Sequence, residues 1–108
     1  MDTDNKYIMG IISAPEEVAE GLAGQLEQQR LAACAQVTGR IKSFYWWDDK
    51  VNADPECLIY LKTVSAKVPL INKLLKEQHP YEVPEFITIS LLDGNPEYFH
   101  WIEKNTAG

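Results

Sequence analysis

The spacing of the apolar residues restricts the fold of this chain more than any other feature, because it switches repeatedly between the two-residue period of a strand and the near-four-residue period of a helix. Residues 6–13, KYIMGIIS, are a short apolar run rich in β-branched side chains and predict a buried strand. Ser13, Ala14, Pro15 and Glu16 then combine a polar cap, a proline that a helix tolerates in its first turn, and an acid three residues after the cap. A helix is expected from there to about Arg30, with Val18, Leu22 and Leu26 on its apolar face and Glu17, Glu20, Gln25 and Gln28 facing out. From 32 to 47 the period falls to two. Ala33, Ala35 and Val37 alternate, Thr38 and Gly39 interrupt, and Ile41, Ser43, Tyr45 and Trp47 resume on one face with Phe44 and Trp46 on the other, which predicts one strand bent or bulged at Gly39. Asp48, Asp49 and Lys50 offer turn chemistry, and residues 56–64, ECLIYLKTV, return as the second arm of a long hairpin. Ser65 is expected to cap a second helix whose apolar positions Val68, Ile71, Leu74 and Leu75 run to Gln78, with Pro69 in its first turn or the helix starting later. Residues 86–92, FITISLL, predict a fourth strand, and Pro96 opens a short helix to about Asn105.

The resulting order, β-α-β-β-α-β with a terminal helix, predicts an α+β, ferredoxin-like sandwich, one domain spanning 1–108 with its core at about 6–104. Right-handed crossovers place both long helices on one face of the sheet and leave the other uncovered. Whichever way the aromatic strand is turned, large rings point away from the helices, and an apolar patch of that kind marks a partner surface.

Charge narrows the partners. Sixteen acids against ten bases give a net charge of −6, and the bases are scattered singly, so no basic stripe is available to neutralise phosphates and nucleic acid is not an expected partner. The first residues, MDTDNK, lack the basic start and apolar run of a secretory signal, and no segment approaches the roughly 20 apolar residues of a membrane span. The expected location is the cytoplasm, with no membrane partner. Cys34 and Cys57 lie in apolar stretches outside any C-x-x-C pair and read as buried free thiols.

A ferredoxin-like fold hosts many activities, so function has to be argued from a site. An acyl-phosphate hydrolase needs an anion cradle after the first strand, where this chain has the acidic SAPEE. A heavy-metal transfer domain needs paired thiolates there, and IISAP has none. An RNA-recognition sheet needs basic charge around its aromatics. Neither a Ser-His-Asp nor a Cys-His arrangement can be assembled from the two histidines, so no enzyme is expected.

The stretch HPYEVPEF, residues 79–86, is the densest concentration of candidate chemistry. Each proline fixes its own φ and biases the preceding residue toward extended backbone, so the corner is rigid. Two readings of His79 stand. Neutral imidazole is a common metal ligand, and a histidine at this place can equally cap the last turn of the preceding helix, in which case it adds little stability. His100, beside Trp101, reads as a surface residue.

Taken in order, SAP, RLAACAQVTG, SFYWW, ECLIYLKT, HPYEVPE, and Tyr98 followed by Trp101 make the sequence strongly resemble the CutA family of divalent-cation tolerance proteins from about Ile8 to Ile102. The resemblance implies a homotrimer similar in architecture to PII signalling proteins, associated with copper and other divalent cations. It implies that Tyr45, Trp46 and Trp47 meet a neighbouring subunit rather than fill the monomer core, and that Glu56, Lys62, Tyr81, Glu85, Tyr98 and Trp101 belong to the same interface or cleft, with Lys62 and Glu85 as a candidate ion pair. His79 is the metal candidate for weakly bound Cu2+ or another divalent cation. Family members that carry a second histidine and a first-strand cysteine have the softer copper set, and this chain has Gln78 and Ile12 at those positions. The alternative is a PII-like signalling module that binds a small anionic metabolite and a partner protein.

Overall fold

The computed structural model describes residues 6–108 of the chain. Strand β1 (Tyr7–Ala14) leads into helix α1 (Glu16–Gln28), followed by β2 (Cys34–Val37), β3 (Ile41–Trp47) and the long β4 (Lys50–Val64). A 3₁₀ turn, Ser65–Lys67, precedes α2 (Val68–Gln78), and β5 (Phe86–Ser90) and α3 (Pro96–Thr106) complete the order. The sheet runs β2-β4-β1-β5 with antiparallel neighbours throughout, and β3 pairs with the outer half of β4. Helix α1 crosses over β4 to reach β2, and α2 crosses over β1 to reach β5, which is the expected ferredoxin-like topology.

Alternation decides which residues become core. Partners across an antiparallel ladder share a face, so Ile12 opposite Ile59 and Ala14 opposite Cys57 turn toward the helices and are buried by Leu22 and Leu26 of α1 and Ile71 and Leu75 of α2. Gly10, opposite Leu61 on this face, has no room for a side chain: a Cβ would come within 2.9 Å of both Leu61 and Phe86. The opposite face carries Met9, Ile11, Tyr60, Ile87 and Ile89, and the last two are exposed. Only one end of it is covered. There α3 sets Phe99 against Tyr7, with ring centroids 5.0 Å apart, and Tyr98 Oη 3.6 Å from Cys34 Sγ. Glu103 ties the same end down by accepting from Lys6 Nζ at 2.5 Å and Tyr7 Oη at 2.8 Å. These two donors hold the Glu103 carboxyl below its ordinary pKa, Lys6 contributing most. Both thiols are free, but only Cys57 is buried as expected, in the core; Cys34 shares the largely uncovered face with Lys62 and is only partly buried, so the two face opposite sides of the sheet.

Local signals were overridden in three places. Ser13 does not cap α1, because β1 keeps its ladder with β4 as far as Ala14; Pro15 is the N-cap and its carbonyl accepts from Val18 and Ala19. The expected single strand over 32–47 is two strands. Val37 pairs with Ile59 and Ile41 with Glu56, so three residues, 38–40, oppose two on β4, a one-residue bulge at the predicted glycine. Thr38 satisfies the disrupted ladder by accepting from the Leu58 N–H through Oγ1 at 2.9 Å. The third override is at α2, which starts after the 3₁₀ turn, with Pro69 in its first turn, rather than at Ser65.

The hairpin is longer than the period suggests, since β4 begins at Lys50, directly after the turn. Asp48 and Asp49 both adopt positive φ, 54° and 60°, the two-residue geometry whose twist matches that of paired strands. Helix α1 ends with Arg30 at φ 57°, where Arg30 N–H bonds Glu27 and Leu31 N–H bonds Leu26, the reciprocal pair that normally recruits glycine. Its guanidinium bonds the Asn105 carbonyl at 3.2 Å and so anchors the end of α3.

Candidate functional site

At the end of the sheet away from α3, the β3–β4 hairpin stands across from the HPYEVPE corner and leaves a groove of about 740 Å³ between them. Because the turn has two residues, Trp47 faces Lys50, Tyr45 faces Asn52 and Ser43 faces Asp54 across the ladder. Tyr45 and Asp54 are therefore diagonal neighbours on one face, and the Tyr45 hydroxyl donates to Asp54 Oδ2. That bond, first, and the nearby negative charge hold the Tyr45 phenol protonated above its ordinary range. Glu56, two residues further, is buried at 4% exposure and accepts from Tyr81 Oη at 2.7 Å. Burial, then this carboxylate, pushes the Tyr81 phenol well above its ordinary pKa.

His79 explains why Tyr81 stands where it does. Its backbone is extended, φ −81° and ψ 135°, as the following proline requires, and its N–H closes α2 on the Leu75 carbonyl. The Tyr81 N–H donates to Nδ1 at 3.1 Å, so Nε2 carries the proton and donates to the Ser13 carbonyl at 2.8 Å. That carbonyl has no strand to meet. Tyr7, of the same parity on β1, gives its carbonyl to Leu91 on the β5 side, but β5 begins at Phe86 opposite Ile12 and ends short of Ser13. The imidazole replaces the missing ladder partner.

The ring is only 7% exposed and both nitrogens are committed within the chain, so His79 is a pin between α2, β1 and the corner. A cation at either nitrogen would have to displace one of these bonds. Among the described residues no three His, Cys, Asp or Glu side chains converge as a metal centre would require. Being buried and doubly bonded, His79 is now expected to contribute to stability rather than to add little.

Six of the residues singled out in the sequence meet in the groove: Tyr45, Trp46, Trp47, Glu56, Tyr81 and Glu85. The hairpin aromatics do not fill the monomer core, since Trp46 is 72% and Phe44 70% exposed and Trp47 is nearly half exposed. Lys62 lies outside the groove, on the open sheet face, where its ammonium donates to Gln36 Oε1 and not to Glu85. Tyr98 and Trp101 stack on α3 with centroids 5.4 Å apart, at the other end of that face, and His100 is exposed beside them. Sequence reasoning missed Ser13 and Asp54. The signal for Asp54 was present, because a two-residue turn at 48–49 sets the register that puts it beside Tyr45; nothing local marks a carbonyl such as that of Ser13.

The sequence matches the model of the CutA1 divalent ion tolerance protein family over residues 8–105. It is 38% identical over 106 residues to the mouse protein CutA, covering 93% of this chain and 60% of the mouse protein, so it spans about three fifths of that relative. With the divalent-cation tolerance protein CutA of Thermus thermophilus the identity is 38% over 98 residues, covering 90% of this chain and 95% of the relative. The solved structure of the divalent cation tolerance protein from the same organism superposes with a TM-score of 0.90 at 36% identity, over 94% of this chain and 99% of that one.

Proposed function

Since the chain belongs to the CutA1 divalent ion tolerance family, we propose that it contributes to divalent-cation tolerance in the cytoplasm as a non-enzymatic homotrimer of PII-like architecture. In that assembly the groove becomes a cleft between subunits. The observation that carries this reading is the hairpin itself. Phe44, Trp46 and Val51, all exposed, share one face of the hairpin, and Ile87 and Ile89 are exposed separately on the open face of the sheet. A chain of this size does not leave that many large apolar side chains to water unless something covers them. A second copy is the occupant that serves every subunit alike, and a closed ring leaves no hairpin uncovered. Tyr98, Trp101 and Lys62 would join the same contact from the other end of the open face. Light scattering at micromolar concentration is expected to give three times the 12.3 kDa chain mass; a monomer at that concentration would overturn the reading.

Catalysis has no support in the site. His79 is committed to structural bonds, His100 is exposed on α3, and neither is bonded to a nucleophile. For the divalent ion, we propose weak binding at carboxylates of the cleft, with Kd in the micromolar range or above. Support comes from the carboxylates of Glu56 and Glu85 that line the groove, too few for a closed metal centre, and from the commitment of both His79 nitrogens. Added Cu2+ or Zn2+ is then expected to raise the melting temperature equally in the parent and in His79→Ala, by linkage of binding to folding. A shift present in the parent and lost in His79→Ala would return the ligand role to the histidine.

A further inference from the structure

The lining of the groove has a chemistry of its own. Of twelve lining residues, five are aromatic, three are glutamates and none is lysine, arginine or histidine. Its volume, about 740 Å³, lies in the range of small-molecule sites. Glu56 sits in it nearly buried and bonded to a neutral phenol rather than to a base, and Asp54 next to it is likewise bonded to a phenol. In both bonds the carboxylate accepts from a hydroxyl and has no base beside it among the described residues. Neither Glu56 nor Glu85 forms an ion pair with any described residue.

This composition selects among ligands. An anionic metabolite would meet glutamates without a counter-charge, in a chain already at net −6. A bare divalent ion needs several oxygens at one point and gains little from indole walls. A cationic nitrogen on a small apolar body uses both features at once, because aromatic faces attract cations through their quadrupole and carboxylates complete the charge.

We infer that the groove binds an organic ammonium ion, with the rings of Tyr45, Trp47 and Tyr81 around its apolar body and Glu56 and Glu85 as the counter-charge. The inference rests on the cleft reading only in requiring that the groove stay open to solvent in the assembled protein. Because no base lines the site, nothing in its lining competes for the carboxylates, and selectivity comes from charge together with ring contact.

The experiment titrates the assembled protein with butyltrimethylammonium chloride, using 1-butanol and sodium chloride as controls, while light scattering follows the mass of the same sample. Saturable quenching of tryptophan fluorescence by the ammonium salt is expected, together with an upfield ring-current shift of its N-methyl protons. Butanol at equal concentration and sodium chloride at equal ionic strength should produce neither effect. Glu56→Gln keeps an acceptor for Tyr81 while removing the charge and should weaken binding about tenfold; Glu85→Gln, at the exposed rim, should weaken it about threefold. Equal binding of butanol, or affinity unchanged in both variants, would overturn the inference. A trimer that takes up no ammonium ion overturns this inference and leaves the assembly standing. A monomer that binds the ion with the same charge dependence overturns the assembly alone.

Discussion

Replacing His79 with alanine is expected to lower the stability of the chain by about 3 kcal/mol. Two hydrogen bonds end on the ring, a partly buried one from the Tyr81 N–H to Nδ1 and a buried one from Nε2–H to the Ser13 carbonyl. Both backbone partners would lose these bonds in a part of the chain that water reaches poorly, and a buried polar group left unpaired costs about 1–3 kcal/mol. The vacated ring volume adds a cavity term. Strand and helix cannot close over the gap without moving, since Ser13 is held by the β4 ladder and Leu75 by the core. A urea titration at fixed protein concentration measures the effect as a lower midpoint with unchanged slope. A second consequence is local. With Tyr81 N–H released, the hydroxyl bond to Glu56 should loosen, and the tyrosine should titrate closer to its ordinary range than in the parent. If the midpoint moves by less than about 0.5 kcal/mol, the histidine is a replaceable helix cap.

Trp47→Ala tests the assembly rather than the chain. In the single chain the indole is 45% exposed and sits opposite Lys50 at the hairpin tip, so its removal takes little from the core. Desolvated between subunits, the same ring acts as an aromatic anchor, and truncation is expected to cost about 2 kcal/mol or more per interface. The two cases are separated by concentration. A weakened assembly makes the unfolding midpoint of the variant fall as protein is diluted, whereas a defect inside the monomer lowers it by the same amount at every concentration. The second pattern would remove Trp47 from the interface and would leave Phe44 and Trp46, which are more exposed, as the residues to truncate next.

The sequence motifs alone supported the family resemblance, and the family model and relatives bear it out. Metal coordination at His79 was argued only from residue type and position, and within the chain both of its ring nitrogens are already hydrogen-bonded. An imidazole between a helix end and a proline looks free in sequence because its partners, a carbonyl on β1 and an amide two residues on, carry no side-chain signature. Within one chain Lys62 and Glu85 do not meet, for a related reason: alternation put Lys62 on the open face with Gln36, and opposite charges in a motif do not specify on which side of a corner they end.

What the sequence determined by itself is what depends on neighbours along the chain. Period two against period near four set the element order, Gly39 set the place of the bulge, and Asp48 and Asp49 set a turn whose register brings Tyr45 to Asp54. Proline set the extended backbone of His79. Tertiary structure decided everything that depends on where a ladder stops. β1 outran β5 at Ser13, and that one unpaired carbonyl recruited His79 as its partner. The β1–β4 ladder kept Ser13 out of the helix cap that its local motif predicts, because continued ladder pairing outweighs one capping bond. Burial of Glu56 against Tyr81 came from the meeting of two segments 25 residues apart, a proximity that only the closed sheet creates.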